Sequence, residues 1–150
     1  MKALLLTALM FCAIQNINAQ KTEKMETTKQ DSLAIVQTLE QLYFKGLYEG
    51  DINLLRKLFN PGTLLFGDVN GQPYAKTLEE YLEGVANRVS PKDYGTVFKG
   101  KIIAIDVINT IAMAKVNLKM YTFNYYDLLT FHKLNGKWVI VNKALTNVIE

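Results

Sequence analysis

The chain has one cysteine and one histidine in 150 residues, and these two scarcities remove whole classes of chemistry. Cys12 lies inside an apolar run, Ala3 to Ile14, which follows Lys2 and precedes Ile17-Asn18-Ala19. That layout is an export signal cut before Gln20. Leu9-Met10-Phe11 lack the small residue that precedes a lipidated cysteine, so ordinary cleavage is expected rather than a lipid anchor. Cleavage leaves no thiol, hence no disulfide and no cysteine nucleophile. With His132 alone and the carboxylates scattered, the sequence supports neither a transition-metal site nor a serine triad, and no metal or other cofactor is expected.

Charge of one sign is also lacking. The net +3 falls to +2 once Lys2 leaves with the signal. There is no basic stripe and no aromatic RNA-binding motif, so nucleic acid is not an expected partner. The N-terminal run is too short for a comfortable membrane span and no later segment is longer, so no stable membrane insertion is expected. Glycines stand singly, which leaves no phosphate-cradling loop. The expectation is an exported protein, periplasmic or secreted. Residues 1–19 form the signal, 20–30 a mobile polar leader, and 31–150 one domain whose core draws on about 120 residues.

Within that domain, Leu33, Val36, Leu39, Tyr43 and Leu47 recur at three or four and predict a helix over Ser32 to Tyr48, capped by Asp31 or Ser32. Gly50-Asp51 stops it and caps a second helix through Phe59, before the Asn60-Pro61-Gly62 break. A small hairpin, Thr63 to Gly67 with Gln72 to Ala75, turns at Asn70-Gly71. Thr77 and Glu80 form a capping box for a third helix, Leu78 to about Val89, with Ser90-Pro91 as its end. Beyond Tyr94 the period changes to that of strands: Ile102 to Ile108, Ile111 to Tyr121, Phe123 to Leu134 and Lys137 to Val148. A turn at Asn109-Thr110 places Ile103, Ile105 and Val107 opposite Val116, Ala114 and Ala112 on one face. Three helices followed by an antiparallel meander predict an α+β domain with helices covering one face of a curved sheet.

The last hairpin carries the most informative pair. Asn135-Gly136 predicts a two-residue turn. Pairing Leu134 with Lys137 puts Phe131 opposite Ile140, Leu129 opposite Asn142 and Asp127 opposite Ala144. Asp127 and Asn142 then become diagonal neighbours on the face that carries Trp138. Polar groups on an apolar face need partners, since burial without them costs about 1–3 kcal/mol each, and a bound ligand is one candidate. His132 falls on the outer face. Ile102, Met113, Leu128, Val139 and Val141, among Lys115, Asn117, Thr130 and Lys143, make that face too apolar for water alone, which predicts a homodimer through it.

The long first helix, Gly46-Leu47-Tyr48-Glu49-Gly50-Asp51, the Phe59-Asn60-Pro61 break and Asn135-Gly136-Lys137-Trp138-Val139-Ile140-Val141-Asn142-Lys143 together resemble the nuclear transport factor 2-like superfamily. Within it the chain is most similar to the branch named putative lumazine-binding, related to SnoaL-like cyclases and ketosteroid isomerases. The resemblance covers nearly all of residues 31–150. It implies a cone-shaped α+β fold with a pocket between helices and sheet, frequent homodimers through the outer sheet face, and functions from isomerases to inert binders. Asp127 matches the branch's aspartate before the terminal hairpin, and Val141, Asn142 and Lys143 match its closing motif. Asn60 stands where the branch often has histidine.

These observations predict a domain that binds a small, partly apolar ligand between helices and sheet. Tyr43, Phe59, Phe66, Tyr81, Asp127 and Asn142 are its candidate contacts. Asp127 is also the candidate catalytic residue if the domain is a cofactor-independent isomerase, cyclase or dehydratase, because a carboxyl in an apolar pocket can exchange a proton near neutral pH. A third possibility is an interaction module with a filled cavity. An opening of about 300 Å³ or more beside Asp127 favours a ligand; closure by Tyr43, Phe66 and Tyr81 favours the module.

Overall fold

The computed structural model describes residues 22–149; the proposed signal lies outside them. The first helix, α1, runs from residue 22 to Glu49, with a π-helical stretch at Leu39–Phe44 between its two α-helical parts. It starts earlier than the sequence predicts. Residues 22–30 carry the helix back through the expected leader, with the Thr27 and Thr28 hydroxyls bonded to carbonyls four residues earlier. Asp31 is therefore mid-helix and caps nothing. Its buried carboxylate instead accepts from Lys133 Nζ at 2.7 Å and Trp138 Nε1 at 3.1 Å, fastening the helix to the last hairpin.

The buried stripe of α1 is Asp31, Ile35, Leu39, Tyr43 and Leu47, while Leu33 is 55% exposed. A step of four overshoots an α-helical turn of 3.6 residues. The wider i→i+5 winding of the π stretch corrects the overshoot, so Tyr43 stays in line with the residues on either side. Gly50, with φ +69°, ends α1. The Asp51 carboxylate then accepts from the N–H groups of Asn53 and Leu54 and caps α2, Ile52–Leu58. Phe59 belongs to the next strand rather than to this helix.

Strands β1, Phe59–Val69, and β2, Gln72–Thr77, turn at Asn70-Gly71, both with positive φ. Helix α3, Leu78–Ala86, opens with the predicted Thr77/Glu80 capping box. It stops three residues short of the expected end, and Ser90 caps a further single turn, α4, Pro91–Tyr94. Strands β3, Lys99–Ile108; β4, Ile111–Met120; β5, Phe123–Leu134; and β6, Lys137–Asn147 follow. The small hairpin and the meander form one sheet, ordered β2-β1-β6-β5-β4-β3, in which only β1 and β6 run parallel. Helices α1, α2 and α3 cover its inner face, and the core lies between, around Leu39, Tyr43, Leu55, Leu82, Leu118, Leu129, Phe131 and Ile140. Contact is close enough that a Cβ on Gly100 would stand 2.6 Å from the Phe44 ring.

Two bulges change the predicted register. In β3, Val107 and Ile105 pair with Ala112 and Ala114 as expected, but Val116 pairs with Ile102. The extra residue, Ile103, is 43% exposed, and Ile102 takes its place against the core. In β6, Phe131 pairs with Ile140 as expected; then Thr130 pairs with Asn142 and Leu129 with Lys143. The extra residue is Val141. Side chains alternate along a strand, so one inserted residue exchanges the faces of all that follow. Lys143 therefore turns inward and Asn142 outward, the reverse of the sequence expectation.

Candidate functional site

Three polar side chains meet where α1 crosses β5 and β6. Tyr43 and Asp127 are fully buried and Lys143 nearly so. The Tyr43 hydroxyl donates to Asp127 Oδ2 at 2.7 Å, and Lys143 Nζ donates to Tyr43 Oη at 2.7 Å while lying 3.1 Å from the same Oδ2. Each element contributes through a local irregularity or its pleat. The π stretch aims Tyr43 at the sheet, the alternation of β5 turns Asp127 inward between Tyr126 and Leu128, and the Val141 bulge delivers Lys143. The ammonium also lies 5.3 Å from the ring centre of Tyr43 and 5.1 Å from that of Tyr81. Such cation–π contacts help replace lost hydration.

Electrostatics hold the protons on Lys143 and Tyr43. Burial alone would lower the pKa of Lys143, but the charge of Asp127, with Tyr81 beside it, outweighs burial and raises it above the ordinary lysine value. The ammonium thus stays charged in the interior. Burial first, then the charge of Asp127, holds the Tyr43 pKa well above that of a free phenol, so this hydroxyl stays a donor. Burial likewise pushes Tyr74 up to about 12 and raises Tyr125.

A cavity of about 190 Å³ opens above the cluster. Asp127, Lys143 and Tyr81 reach it from below, Tyr74 and Tyr125 flank it, Leu47, Val85, Leu118 and Leu145 are among its apolar wall, and Lys76 and Arg88 add positive charge to the lining. It is smaller than the roughly 300 Å³ at the lower end of ordinary ligand sites. Asp127 Oδ1 and the Tyr81 hydroxyl are buried beside this space with no partner at hydrogen-bonding geometry, although the Tyr81 hydroxyl is near enough to that of Tyr43 to raise the Tyr43 pKa. Lys143 has three N–H donors, of which Tyr43 and Asp127 occupy two. The floor therefore offers a carboxylate acceptor, an ammonium donor and a phenol that can do either. Among the described residues no three His, Cys, Asp or Glu side chains gather to hold a metal ion.

The structure brings together Asp127, Tyr81 and, one layer below, Tyr43. Phe59 is 3% exposed and packs against the rings of Tyr43 and Tyr81, at 6.2 and 5.9 Å, behind the cavity rather than in its wall. Phe66 is 48% exposed and lies in a shallow depression with Leu64 and Ala75. Asn142, facing out, donates to the Leu64 carbonyl at 3.2 Å. Lys143 matches the family's closing motif, but nothing in Ile140-Val141-Asn142 marks the bulge that turns it from the outer face to the site. Sequence reasoning missed Arg88, for which there was a signal: Tyr81, Val85 and Arg88 are spaced four and three, so Arg88 continues the inward face of α3 past its last turn.

Residues 31–146 match the model of the family described as "Putative lumazine-binding". No curated protein matches the chain. Several solved structures share the fold. A nuclear transport factor 2-like protein of unknown function from Silicibacter pomeroyi aligns at TM-score 0.72 and 21% identity, over 81% of this chain and 98% of that one. A similarly described protein from Methylobacillus flagellatus gives 0.71 and 24%, over 80% and 94%. One from Shewanella baltica gives 0.67 and 25%, over 81% and 96%.

Proposed function

Since the chain belongs to the family described as putative lumazine-binding, we propose that it holds one small, partly apolar molecule in the cavity between helices and sheet. The observation that carries this is the pair of unpartnered buried atoms, Asp127 Oδ1 and Tyr81 Oη, in residues that line the cavity. Leaving such atoms unpaired costs about 1–3 kcal/mol each, which a ligand's own donors and acceptors recover. Tyr43 and Lys143 both engage Oδ2, so the carboxylate is anchored while Oδ1, buried in a residue that lines the cavity, has no partner of its own. Asp127 serves here as a fixed acceptor. The ion pair with Lys143 ties Asp127 in place. The cavity of about 190 Å³ falls short of the roughly 300 Å³ that favours a ligand on size alone, but it is space that the protein's own side chains leave unfilled.

Two further parts of the proposal rest on other features. The N-terminal sequence supports export to the periplasm or beyond. The outer sheet face supports a two-fold dimer, with Ile111, Met113 and Leu128 exposed at 53, 50 and 43%. No described helix is long and apolar enough to cross a membrane.

Native mass spectrometry of the protein purified from its own host tests all three parts. We expect a mature chain starting at Gln20, a dimer mass, and an additional small mass that Asp127→Ala loses. A ligand-free protein whose cavity residues respond to no small molecule would refute the binding function.

A further inference from the structure

Arg88 is the group the cluster at the cavity floor does not use. It sits beyond the end of α3, lines the cavity and places its guanidinium 5.8 Å from the ring centre of Tyr121. Its Nε and Nη2 are both buried and both without a hydrogen-bond partner. Those two atoms carry the parallel N–H groups along one edge of the guanidinium, the edge that grips both oxygens of a carboxylate at once. A cation with its bidentate edge buried and vacant is costly to keep unless something anionic occupies it.

Lys76 adds a second positive group to the same wall. Its ammonium lies 5.4 Å from the ring centre of Tyr74 and only 3.8 Å from where a Cβ on Gly84 would be, so it leans from β2 across to α3. The charges lining the cavity are Lys76, Arg88 and Lys143 against Asp127 alone, and Asp127 is already paired with Lys143. The excess charge of the lining is therefore positive and rests chiefly with Arg88, since Lys76 also faces the carboxylate of Glu80. Between these cations and the floor the wall is tyrosine and aliphatic, and the floor itself offers Asp127 Oδ1 and Tyr81 Oη to a group that can donate and accept.

From this arrangement we infer that the ligand is a small organic carboxylate, its anionic end seated on the vacant edge of Arg88 with Lys76 nearby, its apolar or aromatic body between the tyrosines, and a hydroxyl or amino group bonded to Asp127 Oδ1. The inference rests on the proposal that the cavity binds a small molecule, and gives that molecule its chemical class. A carboxylate is favoured over a tetrahedral anion because the vacant edge is planar and two-pronged, and over a larger acid because the cavity is about 190 Å³.

Titration calorimetry in low-chloride buffer with three matched probes tests it: 4-hydroxybenzoate, which has both polar ends; 4-hydroxybenzamide, which lacks the charge; and benzoate, which lacks the hydroxyl. We expect 4-hydroxybenzoate to bind roughly tenfold or more tightly than either of the others, the scale of a charge-assisted bidentate contact. Arg88→Leu should erase the advantage of the acid over the amide, weakening the acid far more than the amide. Arg88→Lys should restore only part of it, because a lysine has charge but no fork. Equal binding of acid and amide, or an unchanged acid affinity in Arg88→Leu, overturns the carboxylate class and leaves the binding function standing. If none of the three binds at millimolar concentration, the carboxylate class falls. The binding function falls with it only if the host-purified protein also carries no ligand.

Discussion

Replacing Lys143 by methionine should destabilise the domain far more than removing a surface charge would. At the observed 3.1 Å separation from Asp127, two unit charges attract by about 5 kcal/mol at an effective dielectric constant of 20. Several kcal/mol of lost hydration per ion opposes that attraction, so the intact pair contributes little net stability. Breaking it is different, because Asp127 has 0% exposure and would be left as a buried charge with Tyr43 as its one donor. Such a loss costs about 3–5 kcal/mol. For a domain of this size each kcal/mol moves Tm by about 3–5 °C, so the midpoint should fall by about 9–25 °C. Urea unfolding followed through the single tryptophan and by far-ultraviolet circular dichroism gives the free energies. The decisive comparison is the double variant Lys143→Met with Asp127→Leu, which removes both charges. It should recover at least about 2 kcal/mol relative to the sum of the single variants. Adding Tyr43→Phe, which removes the hydroxyl orphaned by both changes, should recover more. If the single effects simply add, the buried pair does not exist as described.

Alkaline stability follows from the raised pKa values of Tyr43, Tyr74 and Lys143. Each group keeps its proton in the fold to higher pH than in the unfolded chain. Stability from these groups is therefore complete below pH of about 10 and declines above it, by up to about 1.4 kcal/mol per pH unit for each fully buried proton; urea midpoints measured from pH 8 to 11 should show the decline, and Tyr43→Phe should make it shallower. Asp31→Ser should cost about 1.5–3 kcal/mol, because serine keeps the ability to cap a helix but cannot hold Lys133 and Trp138; wild-type stability in this variant would mean that Asp31 caps after all. Gly100→Ala should cost about 1–3 kcal/mol by forcing a methyl group against the Phe44 ring. Phe44→Leu should relieve part of that loss in the double variant.

The elements were legible where local chemistry is decisive. The Gly50-Asp51 stop and cap, the Thr77/Glu80 box and the Asn70-Gly71 and Asn135-Gly136 turns all form where the sequence places them, because each depends on residues within four positions of one another. The start of α1 was not legible. Residues 22–30 have the composition of a solvated leader, and the anchor at Asp31 is tied to residues 102 and 107 positions away. The parallel pairing of β1 with β6 is likewise a long-range event with no local signature.

The candidate site shows where such reasoning reaches its limit. Asp127 was found because a carboxylate on an apolar face is conspicuous, and Tyr43 and Tyr81 because helical spacing turns them inward. Asn142 was chosen over Lys143 on the assumption of an unbroken register, and one unpaired residue, Val141, reversed the choice. A lysine in an otherwise apolar strand is ordinarily assigned to the solvent face. Here the charge of Asp127 gives it a reason to be inside, and the bulge gives it the means. The two irregularities that build the cluster, the π stretch under Tyr43 and the bulge before Lys143, both insert length into a regular element and both aim a side chain at the same carboxylate oxygen. Regular periodicity alone would bring neither there. Together they hold one carboxylate oxygen fast and leave the other buried without a partner, in a residue that lines the cavity.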